Sequence, residues 1–262
     1  MNKIKMLKRF YPSIFLGIIV TFIWQFGVQL LNIPKYLFPT PLDIAFALNL
    51  HGKGMLINLW VTIEIALCGF ALSILLGLFI SILMVMNKKI EHAVFPYVII
   101  VQVTPIIALA PLIILLIKNT FWSLVFISLL ISIFPIVSNT TLGLKSVPEG
   151  LLSVFGLYDA SKTQIIVHLR FMSALPYFLG SLRISSGLSL VGAVVGGFVA
   201  GSTGANSGIA YDILQDGYNL EVSQLFASVF LLAVTGVALF SILSIINWQV
   251  LHRWHDSYSL DR

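Results

Sequence analysis

The chain has one cysteine, Cys68, among 262 residues, which excludes an intrachain disulfide framework and removes cysteine clusters as metal sites. Charge is scarce too: Asp, Glu, Lys and Arg make up 10% of the chain, where a soluble domain carries about 25%. That is too little to clothe a globular surface of this size. No Gly-x-x-x-x-Gly-Lys-Ser/Thr run occurs, so ATP phosphates have no loop of the usual kind to sit in. A Gly-x-Ser-x-Gly elbow and a His-Glu-x-x-His helix are also missing, which leaves no familiar nucleophile or metallohydrolase site. By itself the chain is not expected to be an enzyme or to bind a cofactor. There is no internal repeat and no low-complexity tract.

What is abundant is apolar sequence, 58% of the residues. Several runs exceed the roughly 18 residues that mark a bilayer-spanning helix. Six segments are predicted to cross: about 14–31, 59–86, 95–117, 121–139, 177–201 and 222–250. The stretch from Lys3 to Arg9 followed by apolar residues has the outline of a secretory signal. However, the run from Ile14 to Leu31 is of spanning length and lacks a small-x-small cleavage site before Asn32, so a retained first helix is expected. The net charge of +5 is not gathered on a basic face for nucleic acid; it follows the membrane.

With the N-terminus inside, the inner side holds Lys3, Lys5, Lys8, Arg9, Lys88, Lys89, Lys145, Lys162, Arg170, Arg183, Arg253 and Arg262. The outer side holds Lys35, Lys53 and Lys118. This asymmetry obeys the positive-inside rule and predicts both termini inside. The fold class read from these counts is an all-α, multi-pass integral membrane protein in the lipid bilayer. It is expected to be one transmembrane domain over residues 1–262.

The connections differ in character. Thr40-Pro41-Leu42-Asp43 reads as a helix start, with Pro in the first turn and an acid at N3. Lys118-Asn119-Thr120 is short enough to imply a tight helical hairpin. Residues 202–218 read as an outer loop rich in Gly, Ser and Asn. The longest inner connection, about 145–172, predicts two short amphipathic helices outside the bilayer. The first is Glu149–Phe155. The second is Lys162–Arg170, with Ile165, Ile166 and Leu169 on one side and Asp159 or Ser161 as its N-cap. Such a pair suits docking into a groove on a soluble partner; a plain solvated connection is the alternative.

Here the chain resembles the type I permeases of binding-protein-dependent ATP-binding-cassette importers, in the branch handling nitrate, sulfonates, taurine and pyrimidine precursors. The resemblance runs from Phe38-Pro39-Thr40-Pro41 to Arg253-Trp254-His255. Its centre is the family's EAA loop, Leu151-Leu152 through Asp159-Ala160-Ser161, then Ala174-Leu175-Pro176-Tyr177 and Leu182-Arg183-Ile184. Further matches are Gly69-Phe70, Ala108–Leu112, Phe134–Val137, Gly192–Gly196 and Ser207–Tyr211. The chain departs from the family pattern at Ser153, Phe155, Asp159 in place of a loop glycine, Met172 in place of a proline, and Gly197 in place of a glutamate.

The resemblance implies a bacterial inner-membrane importer subunit whose coupling loop, with Leu151, Leu152, Asp159, Ala160, Ser161, Lys162 and Gln164, meets separate ATPases. Two ATPase subunits carrying ATP and magnesium, a second permease copy and an extracytoplasmic solute-binding protein are the implied partners. Solute specificity is then expected to reside mainly in the binding protein. An ion-gradient-driven secondary transporter is the alternative reading; it would need intramembrane acids or paired broken helices, and Glu64 is the one acid deep in an apolar segment.

Within the membrane, Pro96, Pro105 and Pro111 predict a kinked or opened third span, because proline removes a donor and clashes one turn back. Freed carbonyls must face protein or water, which makes Gln102, Thr104 and Pro105 candidate linings of a solute path. For Glu64 three readings stand: an outer-vestibule contact, a partner for a cation such as Lys53, or a proton-relay acid. Asn139 lines a path or caps a helix. Gly192-x-x-x-Gly196 and Gly197-x-x-x-Gly201 form small-residue ridges that suit close helix packing; a flexible gate is the alternative. His252 and His255 read as interface residues rather than metal ligands, and Trp248 and Trp254 suit the aromatic belt.

Overall fold

The computed structural model describes residues 3–201 and 208–252, with side chains from residue 11 onward. The side chains of Lys3, Lys5, Lys8 and Arg9, together with Ser207, Arg253, Trp254, His255 and Arg262, lie outside the described residues. The described chain is helical throughout. Its elements are α1 (Lys3–Leu30), α2 (Pro41–Met86), α3 (Lys88–Val103), α4 (Ile106–Ile117), α5 (Thr120–Lys145), α6 (Glu149–Leu157), α7 (Lys162–Gln164), α8 (Phe171–Ala200), α9 (Ile209–Tyr218) and α10 (Val222–Leu251). Among the described residues, five helices are each long and apolar enough to cross a membrane, and α3 with α4 makes a sixth if the pair is one span.

That pair decides between the two expectations for the third segment, a kink or an opening. α3 and α4 meet at 100°, a break rather than a kink. Pro105 forces it: the residue before a proline is driven out of the helical region, and Thr104 lies at φ −71°, ψ 128°. The Thr104 hydroxyl and amide both turn back to the Ile100 carbonyl, at 2.6 and 3.0 Å. The α4–α5 hairpin is tight, as its short connection requires. Lys118 closes α4 in a left-handed conformation, and Asn119 caps α5 by accepting from the Trp122 amide at 3.1 Å.

α2 begins at the Thr40 cap, where a complete capping box with Asp43 fixes the first turn. It then runs 46 residues without interruption, about 69 Å at 1.5 Å per residue. This is more than twice the roughly 30 Å of a hydrocarbon core, so its outer portion stands beyond or along the membrane surface. At the outer end of α1, Trp24 packs against Phe38 in a tilted pair with ring centroids 5.4 Å apart and donates to the Pro39 carbonyl.

The protein interior is the α2–α5–α8 bundle, with Ile65, Ala66, Leu124, Val125, Ile127, Leu190 and Ala193 at its centre. Lipid supplies no hydrophobic drive between helices, so close backbone approach and hydroxyl bonds hold them. The Ser73 and Ser132 hydroxyls are 2.6 Å apart. Ser128 donates to the Ser189 carbonyl at 2.8 Å and Ser81 to the Val137 carbonyl at 3.1 Å. A Cβ on Gly192 would lie 2.7 Å from Ser128 Cα, and one on Gly196 2.7 Å from Leu124. Gly197 is buried beside them, and Gly201 abuts Leu214 of α9.

Candidate functional site: the inner coupling segment and the outer helix

Two connections carry the chemistry, one on each side of the bundle; inner and outer are assigned by the lysine and arginine distribution. On the inner side α5 ends at Lys145, whose ammonium pairs with Glu91 of α3. After Pro148, α6 runs to Leu157 and stops in a reciprocal turn. The Asp159 amide donates to the Gly156 carbonyl and the Ala160 amide to the Phe155 carbonyl, each at 3.1 Å. This Schellman closure requires a left-handed residue after the cap. Asp159 supplies it at φ +50°, since aspartate tolerates that region better than most side chains. The loop therefore keeps the left-handed backbone even without glycine.

Ser161 is the next N-cap. Its hydroxyl accepts from the Gln164 amide at 3.3 Å, and its own amide donates to Gln164 Oε1 at 2.8 Å, a capping box. The helix that starts here is not the separate short helix expected. Lys162–Ala200 is one 39-residue rod, reaching from the inner loop through the bundle. A π-helical turn over Ile165–Arg170 lies near its start, a feature found mostly at functional positions. Leu169 is the buried residue of that turn. Farther in, a Cβ on Gly143 of α5 would meet Ala174 and Tyr177 at 2.8 Å, so the rod and α5 are locked together close to the loop.

The elbow between α6 and the rod is open and apolar. Leu157 and Tyr158 are each 84% exposed, and Leu151 is exposed too, while Leu152 is half-buried. A cleft of about 420 Å³ lies between the two helices, lined by Val154, Phe155, Tyr158, Ala160, Gln164 and His168. Lys162 stands exposed beside it. This exposed apolar surface falls on the segment for which the family resemblance implies an ATPase contact.

The candidate path residues are placed as follows. Gln102 and Pro105 are exposed at the α3–α4 break, with Thr104 half-buried between them. Glu64 is exposed on α2 and accepts from Trp60 Nε1 one turn earlier; its partner is Trp60 rather than Lys53, which lies on the same helix. Asn139 donates to the Pro135 carbonyl at 3.0 Å. His252 stacks on Trp248 with centroids 4.4 Å apart. Among the described residues no cluster of His, Cys, Asp and Glu could hold a metal ion.

Residues 209–218, expected as outer loop, form helix α9. The signal was available: Ile209, Ala210, Ile213 and Asp216 recur on one helical face, and all four are buried. The glycines and Asn206 upstream obscured it. Gly208 enters α9 at φ +70°, pressed so closely on α2 that a Cβ would lie 2.2 Å from Thr62 Oγ1. Thr62 Oγ1 accepts from the Ile209 amide at 3.0 Å. Asn58 Nδ2 donates to both carboxylate oxygens of Asp212, at 2.7 and 2.9 Å. Burial pushes the Asp212 pKa above its ordinary value, and the Asn58 bond opposes that rise. α9 thus lies antiparallel along the outer part of α2.

Comparison with known proteins places this architecture. Residues 70–255 match the family model described as binding-protein-dependent transport system inner membrane component. The formylaminopyrimidine transport permease protein ThiX of Halalkalibacterium halodurans is 34% identical over 86% of this chain and 88% of that protein. The riboflavin transport system permease protein RibX of Chloroflexus aurantiacus is 28% identical over 97% and 96%. The putative aliphatic sulfonates transport permease protein SsuC of Bacillus subtilis is 28% identical over 94% and 88%. In structure, a chain of the inward-facing MetNI methionine ABC transporter superposes with a TM-score of 0.63 at 18% identity, covering 75% of this chain and 95% of that one. The match spans both the elbow and the broken third span, and the chain belongs to the binding-protein-dependent transport system inner membrane components, as a multi-pass permease of the type I ATP-binding-cassette importers.

Proposed function

We propose that this permease carries a small ring compound of the pyrimidine-precursor type, rather than an oxyanion such as nitrate or a sulfonate. The observation that carries the reading is the 34% identity to the formylaminopyrimidine permease over most of both chains. The chemistry of the spans supports it. The apolar stretches of the crossing segments contain one basic side chain, Arg183. With the Asn247 amide turned to accept, Arg183 Nε and Nη2 donate to it at 3.0 and 2.6 Å. Gln102 and Glu64 offer carbonyl and carboxylate acceptors to a solute bearing N–H groups. A carboxylate beside a solute path repels anions.

In this reading the energy comes from ATP hydrolysed on two separate subunits, which hold the nucleotide and magnesium and dock on the cleft at Val154, Tyr158, Ala160 and Gln164. A second permease copy completes the path as a homodimer, and an extracytoplasmic binding protein delivers the solute. Closure of the ATPases pushes the elbow, and the rod from Lys162 to Ala200 carries the displacement into the bundle. No catalysis is assigned to this chain. The test is reconstitution with the cognate ATPase and binding protein, followed by uptake of labelled formylaminopyrimidine. ATP-dependent uptake that neither nitrate nor an alkanesulfonate competes away is expected. Uptake of an oxyanion instead overturns the solute assignment, and uptake without ATP overturns the coupling.

A further inference from the structure

α9 buries a carboxyl group that the transport scheme above does not use. Asp216 is 8% exposed, and its Oδ2 has no hydrogen-bond partner among the described residues. An ionised carboxylate buried in this way is strongly disfavoured. Its surroundings add to the cost. Asp212 stands one turn earlier on α9 and Glu221 at the turn into α10, both acidic, while among the described residues His51 of α2 is the one cation that favours the charged form of Asp216. From the other neighbours there is no relief: α8 carries no ionisable side chain but Tyr177 and Arg183 toward its inner half, and α10 has no charged residue from Val222 to Leu251.

Two outcomes relieve such a group: it takes a proton, or its helix moves and lets water in. The second is built into the backbone. α9 is bounded by Gly208 at φ +70° on one side and Leu220 at φ +60° on the other, and a non-glycine left-handed residue stores strain that motion can release. Between these points α9 is fastened to α2 through polar contacts, Asn58 to Asp212 and Thr62 to the Ile209 amide.

We propose that α9 is a proton-sensitive latch on the outer side of the protein, seated against α2 while Asp216 is neutral and released toward water when Asp216 ionises. Its consequence for transport rests on the permease reading: the outer side of the path would yield more easily as external pH rises. The direction follows from linkage. Burial first, then the Asp212 and Glu221 carboxylates, raise Asp216 from 3.8 to about 6 in the seated state. The seated state therefore binds the proton more tightly than the released one. Seating is fully favoured below the ordinary carboxylate range, and that preference is lost as pH rises through about 6.

The test is hydrogen–deuterium exchange of the full chain in lipid nanodiscs, corrected for the intrinsic pH dependence of amide exchange. It needs neither ATPase nor solute, so a failed transport assay leaves it standing. Protection of the α9 amides should fall about tenfold between about pH 5 and pH 7. Asp216→Asn, neutral at every pH, should hold the high protection throughout. Glu221→Gln, at an exposed position, removes one repelling carboxylate and should move the midpoint to lower pH. Flat protection in the unaltered protein, or an unchanged pH dependence in Asp216→Asn, overturns the proposal. Should Asp216→Asn fail to fold, an unmoved midpoint in Glu221→Gln overturns it instead.

Discussion

The inner elbow and the outer helix are both connections between spans, yet they are built in opposite ways. α6 and the start of the rod close their own ends, through the Asp159 turn and the Ser161–Gln164 box, and leave an apolar cleft uncovered. α9 is fastened side chain by side chain to α2 and hides its apolar face and Asp216. A segment that satisfies its own backbone while exposing Leu157 and Tyr158 leaves apolar surface for a partner to cover. A segment that is satisfied only against its own chain is finished by the fold. The inner connection is therefore the one we propose as the docking face, and the outer one is packed into the fold of the permease itself.

The sharpest way to break this contrast is Ala160→Asp in the inner cleft. A charge at the centre of an apolar docking face should abolish stimulated ATP hydrolysis by the associated ATPases, while membrane insertion and thermal unfolding stay as before. Stimulation at the original level in vesicles would mean that the cleft is not the contact.

On the outer side, Gly208→Ala should do the reverse. The added Cβ meets Thr62 at 2.2 Å on a left-handed backbone, at a cost of roughly 1–3 kcal/mol. Thermal stability in nanodiscs should fall and α9 protection should drop, with ATPase binding unaffected. Thr40→Ala then tests the outer start of α2. Losing the capping box costs about 1 kcal/mol, read as a small shift in the unfolding midpoint. The smallest effect belongs to Glu91→Gln, which removes the pairing with Lys145 at the inner end of α3. That partly exposed ion pair is worth about 1 kcal/mol or less, and less still at high salt, so unfolding should barely move.

The inner region was largely legible because its signals are local. Ser161 with Gln164 three residues on, and Glu149 opening a short apolar run, report helix starts without reference to anything distant. The same holds for Thr40 with Asp43 and for Lys118-Asn119. What stayed hidden was continuity. Nothing local to Arg170 says firmly that its helix flows into the next span, because Pro176 reads as a boundary, yet the helix runs straight through it. The outer region was obscured for the opposite reason. α9 follows residues with the composition of a loop, and its helicity is secured by Asn58 and Thr62, about 150 positions earlier in the chain.

The sequence alone determined that this chain crosses a bilayer several times and where its helices begin at capped turns, and its charge placement set the expectation of which loops face inward. Those properties depend on composition, charge placement and hydrogen bonds spanning three or four residues. The tertiary structure alone decided the 100° turn at Pro105, the seating of Gly192 against Ser128, and the burial of Asp216. Each of these depends on how closely two distant backbones approach, and that distance is set by packing rather than by any neighbourhood along the chain.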